Sequence, residues 1–198
     1  MGRHKSYDRE KVLDKALKLF WEKGYEGAHL QELVQVTGLN RFSLYKEFGS
    51  KEGLFDEALE KYCCDLMTLG ENLMREPKGL ANIRQYYREV VKYPWHQGCF
   101  AVNALTHHPA IPEKNQKRVF QLFKELEKLM YENLQAAQKN GEIGKGTNIQ
   151  AFASLLMAID IGVIVSHILN SKRDIKNNMV AIINDLLLAG TGSDARIE

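Results

Sequence analysis

The chain has 198 residues, a formal net charge of +2 and 44% hydrophobic residues, which suits a soluble globular protein with a small domain beside a larger one. Near-neutrality removes whole-chain charge as an argument for nucleic acid, so any such reading must rest on local arrangement. Three cysteines, with Cys63 and Cys64 adjacent, make a poor disulfide framework and fit a reducing, cytoplasmic setting better; the opening MGRHKSYDRE has no apolar run that would read as a signal peptide.

Apolar residues recur at intervals of three and four throughout, and no alternating strand pattern lasts, so an all-α chain is expected. The first helix begins near Asp8, a suitable N-cap, and places Val12, Leu13, Ala16, Leu17 and Phe20 on one face until Gly24 stops it. A short helix at 30–36 ends at Thr37-Gly38, and another runs from about 40 to 48 and ends at Gly49. Ser50 then caps a longer helix at 51–74 that carries Leu54, Phe55, Ala58, Leu59, Tyr62 and Leu66. Beyond the break at Pro77-Lys78-Gly79 come helices at about 80–92 and 98–106, a long amphipathic helix at roughly 113–140, and two apolar helices at about 147–169 and 173–189. The stretch 151–169 is 19 residues long and mostly apolar, but Asp160 at its centre would cost about 3 kcal/mol in a bilayer, so no membrane span is expected. The organisation that follows is a head at 1–50, a helical body at 51–189 and a small polar tail at 190–198.

The segment 30–49 meets the demands of a helix-turn-helix. Leu30, Leu33, Val34, Leu39, Leu44 and Phe48 form the inward set, and Gly38 supplies the turn. Asn40, Arg41, Phe42, Ser43 and Lys46 are left on the outer side of the second helix, the side that enters a major groove.

The first sixty residues resemble the tetracycline-repressor (TetR) family of regulators. The resemblance is carried by Ala16 and Phe20, Gly24-Tyr25, the run 33–38, then Leu44-Tyr45-Lys46-Glu47-Phe48 and Ser50-Lys51-Glu52-Gly53-Leu54-Phe55. It implies a nine-helix chain and double-stranded operator DNA as partner. Tyr45 and Lys51 fall where the family touches phosphates, while Arg41, Phe42, Ser43 and Lys46 fall on its reading surface. Arg41 suits a bidentate bond to a guanine edge and Phe42 a thymine methyl; Arg3, His4 and Lys5 form a basic arm. One departure concerns the supporting helix: where the family has a capping hydroxyl, this chain has Ala28-His29, leaving His29 to take that contact.

The resemblance also implies a homodimer through the last two helices and a pocket for a small-molecule effector. Leu155, Leu156, Ile159, Val163, Ile168, Ile182, Ile183, Leu186 and Leu187 supply apolar surface for a four-helix seam. Tyr62, Trp95, Cys99, Phe100, Phe123 and the buried carboxylate Asp160 are candidates for the effector pocket. The expected function is a repressor released from a palindromic operator by that effector.

Two alternatives stay open. Cys99, next to Gly98 at a helix start, suits a switch by electrophiles or oxidants. A cysteine-dependent enzyme using Cys99 with His96 or His107, or a helical interaction protein without DNA binding, belongs to another class. No third orienting residue, glycine-rich phosphate loop or carboxylate pair supports enzyme chemistry. His96, His107 and His108 lack metal-ligand spacing, so neither metal nor cofactor is expected.

Overall fold

The computed structural model describes residues 7–90, 92, 98–108, 110–169 and 175–189. Among them are nine α-helices and no strand: α1 (Arg9–Gly27), α2 (Leu30–Thr37), α3 (Arg41–Phe48), α4 (Lys51–Leu73), α5 (Leu80–Val90), α6 (Phe100–His107), α7 (Glu113–Lys139), α8 (Ile149–Leu169) and α9 (Ile175–Ala189). The all-α expectation holds. The basic arm at 3–5, Trp95, His96 and the tail at 190–198 lie outside the described residues.

Local chemistry sets the boundaries in the head. The Asp8 carboxylate accepts the Glu10 and Lys11 amides at 3.1 and 3.3 Å, capping α1. The regular part of α1 breaks at Gly24, and one more turn continues to Gly27. Between α2 and α3, Gly38 adopts φ 76° and donates its amide to the Val34 carbonyl at 3.0 Å, a left-handed stop that a side chain would strain. The buried Thr37 hydroxyl donates to the Leu33 carbonyl at 2.5 Å and accepts the Leu39 amide at 3.3 Å, so the turn keeps its polar groups paired. Ser50 accepts the Gly53 amide at 3.0 Å and caps α4 as expected.

Gly53 meets a different requirement. A Cβ there would lie 2.1 Å from the Phe48 carbonyl oxygen, a backbone atom that cannot swing aside. Gly53→Ala is therefore expected to push α3 away from α4 and destabilise the head by about 1–3 kcal/mol, the usual cost of overpacking. Urea unfolding checks this, and a midpoint equal to wild type would show that the α3–α4 turn yields freely.

The chain divides into two compact units. One comprises the chain up to Asp65 together with Cys99–Phe120, so it takes in the start of α4, α6 and the start of α7 besides the head. Its core is aromatic: Phe55 meets Phe20 edge-on at 5.2 Å and Phe100 at 5.6 Å, and Tyr62 meets Phe100 at 5.6 Å. α1 packs on α2 and α6, burying Val12, Leu13, Ala16, Leu19 and Phe20. The other unit holds Leu66–Gly98 and the chain from Gln121 onward. There α9 packs on α5 and α8, with Ile83, Tyr87, Leu156, Ile183 and Leu187 buried. Asn133, fully buried on α7, accepts the Gly79 amide at 3.1 Å and donates to the Met74 and Leu129 carbonyls, fastening the α4–α5 connection to α7.

Candidate nucleic-acid interface

α3 owes its two faces to its spacing. Leu44 and Phe48, four apart, are buried, and the opposite side leaves Arg41, Phe42 and Lys46 exposed. Phe42 is 75% exposed, an aromatic ring held in water on the first turn of an eight-residue helix. Ser43 and Tyr45 are half-buried at the edges of this face. Asn40 caps the helix by accepting the Ser43 amide at 2.8 Å, so its side-chain oxygen serves α3 itself. The Arg41 guanidinium lies 5.4 Å from the Tyr45 ring centroid one turn on, which restricts an otherwise flexible side chain to the outer surface.

Lys51 opens α4, half-buried, with its ammonium 4.5 Å from the centroid of the Tyr25 ring. Burial lowers the Lys51 ammonium from its usual range, with Glu26 and Glu52 acting in the opposite direction. The ammonium thus sits at a helix N-terminus, where an anion is welcome and a cation alone is not. His29 is the N-cap residue of α2 and is exposed, but its side chain makes no capping bond; Ala28 beside it is buried. The hydroxyl cap that the resemblance implied has no counterpart within α2.

A brace behind α3 was not foreseen from sequence. Arg9 of α1 pairs with Glu47 at 2.7 Å and with Glu57, and its guanidinium lies 5.0 Å from the Phe48 ring. Tyr7 donates its hydroxyl to Glu47 at 2.7 Å. One arginine therefore ties the end of α3 to both α1 and α4, although Arg9 reads in the sequence as an ordinary charged residue of a first turn.

The effector candidates fall in different units. Tyr62, Cys99 and Phe100 are all buried in the first unit, and the Tyr62 hydroxyl donates to the Cys99 sulfur at 3.4 Å. Burial pushes the nearby Cys63 thiol up to about 12, and none of Cys63, Cys64 and Cys99 forms a disulfide. Phe123, half-buried, and Asp160 belong to the second unit. Asp160 accepts the Tyr86 hydroxyl on Oδ2 at 3.0 Å, while its buried Oδ1 has no hydrogen-bond partner. Burial pushes the Asp160 carboxyl up to about 7 against the opposing pull of Tyr86 and Tyr87. Trp95 lies outside the described residues.

On this framework the likenesses to known proteins are informative. Residues 12–58 match "Bacterial regulatory proteins, tetR family", and residues 77–182, more than half of the chain, match "Tetracyclin repressor-like, C-terminal domain". The chain belongs to the TetR family. As in its relatives, its function is that of a DNA-binding transcriptional regulator. It is 52% identical over 61 residues to the repressor ComR of Escherichia coli K12, a match that spans 31% of this chain and only 29% of ComR. It is 29% identical over 169 residues to the regulator YezE of Bacillus subtilis, spanning 79% of this chain and 84% of YezE. A cysteine mutant of the TetR family regulator CifR, complexed with a 26 bp double-strand operator DNA, superposes with a TM-score of 0.74 at 26% identity, covering 94% of this chain and 99% of CifR. The family model at 12–58 takes in α2 and α3 whole, and no helix among the described residues is long and apolar enough to cross a membrane.

Proposed function

We propose that this TetR family protein is a cytoplasmic homodimeric repressor that grips a palindromic operator with α3 of each subunit and lets go when its body binds a small-molecule effector. The observation that carries the reading is the outward face of α3. Arg41, Phe42 and Lys46 are exposed, with Arg41 held over the Tyr45 ring, while Leu44 and Phe48 hold the helix down. Arg41 reads a guanine edge, Phe42 packs on a thymine methyl, and Ser43 and Lys46 complete the contact surface. Asn40 and His29 are further contact residues in this reading, and Tyr45 and Lys51 take backbone phosphates.

Exposed apolar surface on the last two helices supports the dimer. Leu155 (45% exposed), Ala158, Ile161 and Gly162 share one face of α8, and Ile182 on α9 is 52% exposed. Covering these positions with a second copy forms the four-helix seam and places two heads about a two-fold axis. Val163 and Ile168, expected in the same seam, fall outside the described side chains. Asp160, with its unpartnered oxygen, is the polar contact for the effector in the second unit.

The test is fluorescence anisotropy with DNA flanking the protein's own gene, scanned for a palindrome and followed over salt. Lys51→Met removes one phosphate contact per subunit, so the slope of log affinity against log salt should become shallower by about 1.8 for the dimer. An unchanged slope removes Lys51 from the phosphate contacts, and absence of specific retention on any flanking fragment sinks the repressor reading.

A further inference from the structure

Three acidic residues of α4 stand one turn apart on one face, Glu52, Asp56 and Glu60. Left alone they would repel one another at each i,i+4 step. Each instead meets a complementary group from the segment that links α6 to α7 and from the first turns of α7. His108 Nε2 lies 3.6 Å from Glu52 Oε2. Asp56 is held by the Asn115 amide and the Lys114 ammonium. Arg118 reaches Glu60 at 3.3 Å and donates to the Asn115 side-chain oxygen at 2.8 Å, joining the second rung to the third. All of these residues belong to the first compact unit, with the head.

The centre of the ladder is mostly buried, although the Glu52 and Lys114 side chains stay 35% and 63% exposed. Asn115 is fully buried, Asp56 nearly so, and the His108 ring is enclosed between Tyr25, stacked at 4.0 Å, and Phe55, edge-on at 5.2 Å. His108 Nδ1 accepts the Ala110 amide at 3.3 Å, which leaves Nε2 on the side of Glu52. Tyr25, against which His108 stacks, is the same ring that Lys51 covers. Apolar seams tolerate a slip of one turn because one methyl replaces another. Here a slip of one turn would put the longer Glu52 or Glu60 where Asp56 fits between Asn115 and Lys114, and would leave one end carboxylate without its partner.

We propose that Glu52, Asp56 and Glu60 form a polar key that fixes the register of α4 against the α6–α7 segment, making His108, Asn115 and Arg118 positioning residues for operator binding through Lys51. The inference rests on the operator reading above and adds to it residues about sixty positions downstream of the head. None of the three touches DNA. Each acts by keeping the start of α4, and Lys51 with it, in one place.

The outermost rung permits a test without unfolding the core, because the side chains of Arg118 and Glu60 are 27% and 56% exposed. Glu60→Arg and Arg118→Glu each place like charges opposite one another, and the double variant restores an attractive pair. Amide hydrogen exchange over residues 51–60 of the DNA-free protein and operator affinity are measured on all four proteins. Each single variant is expected to speed exchange there and to weaken operator binding by about three- to tenfold, as the competent arrangement becomes less populated. The swap should recover a large part of both losses, short of the Arg118–Asn115 hydrogen bond that it does not rebuild. At the first rung, His108→Phe keeps the ring stack and removes the polar group facing Glu52, whereas His108→Gln keeps one; His108→Phe should have the larger defect in both readouts. Single variants that exchange like wild type, or a swap that restores nothing, overturn the proposal. A wild type that binds no operator fells the repressor reading, while the exchange pattern still judges the ladder.

Discussion

Arg41→Ala is expected to lower specific operator affinity by about 2–6 kcal/mol, because a bidentate guanine contact contributes about 1–3 kcal/mol and is lost in both half-sites. That corresponds to a fall of roughly thirtyfold to twenty-thousandfold at fixed salt. Binding to random DNA should fall far less, since only one positive charge per subunit disappears. The structure favours a large effect because the guanidinium is already confined above the Tyr45 ring at 5.4 Å, so little rotamer freedom remains to be lost on binding. Arg41→Lys is the informative partner. It keeps the charge and loses the planar fork, so it should restore the salt slope and leave specificity impaired. Competition binding with specific and scrambled duplexes at one salt concentration separates the terms. An equal loss on both duplexes would move Arg41 from the base edge to the phosphates.

Asp160→Asn is expected to stabilise the protein at neutral and higher pH. The carboxyl is raised from 3.8 to about 7 by burial, so the folded state holds its proton more tightly than the unfolded chain does. Its contribution is therefore fully present below about pH 4 and is lost progressively as the pH climbs through about 7, above which the cost stays constant. Asparagine cannot ionise, so the variant lacks this component of the pH dependence. A difference of about three pH units sets an upper limit near 4 kcal/mol on the gain above pH 7. Urea unfolding at pH 5 and pH 8 checks it, and identical pH trends in the two proteins would refute it. A residue that costs stability at working pH suits a site kept for recognition, and the same variant should blunt effector-driven release from operator.

The parts of the fold legible in the sequence were those fixed by neighbours along the chain. Asp8 and Ser50 could be assigned as caps because each bonds an amide two or three residues away, whereas Asn40, expected on the outer face, caps α3. Leu44 and Phe48 could be assigned inward because a helix repeats every 3.6 residues. What remained hidden depended on partners distant in sequence. Nothing in the spacing of Arg9 announces Glu47 or Glu57, and nothing at Asp56 announces Asn115. The effector candidates show the same limit from the other side. Aromatic residues at helical spacing look alike whether they line a cavity or fill a core; Tyr62 and Phe100 pack against each other in the first unit, whereas Asp160, conspicuous in sequence as a carboxylate in an apolar helix, keeps one oxygen unpaired.

The position of Cys99 has a bearing on chemical attack. With 1% of its surface accessible, the sulfur is shielded from any reagent in solution. An electrophile would have to wait for the surrounding helices to part, so its rate of reaction would follow the frequency of that breathing and not the intrinsic nucleophilicity of the thiol. Exposed Cys64, next in sequence to shielded Cys63, would be consumed first.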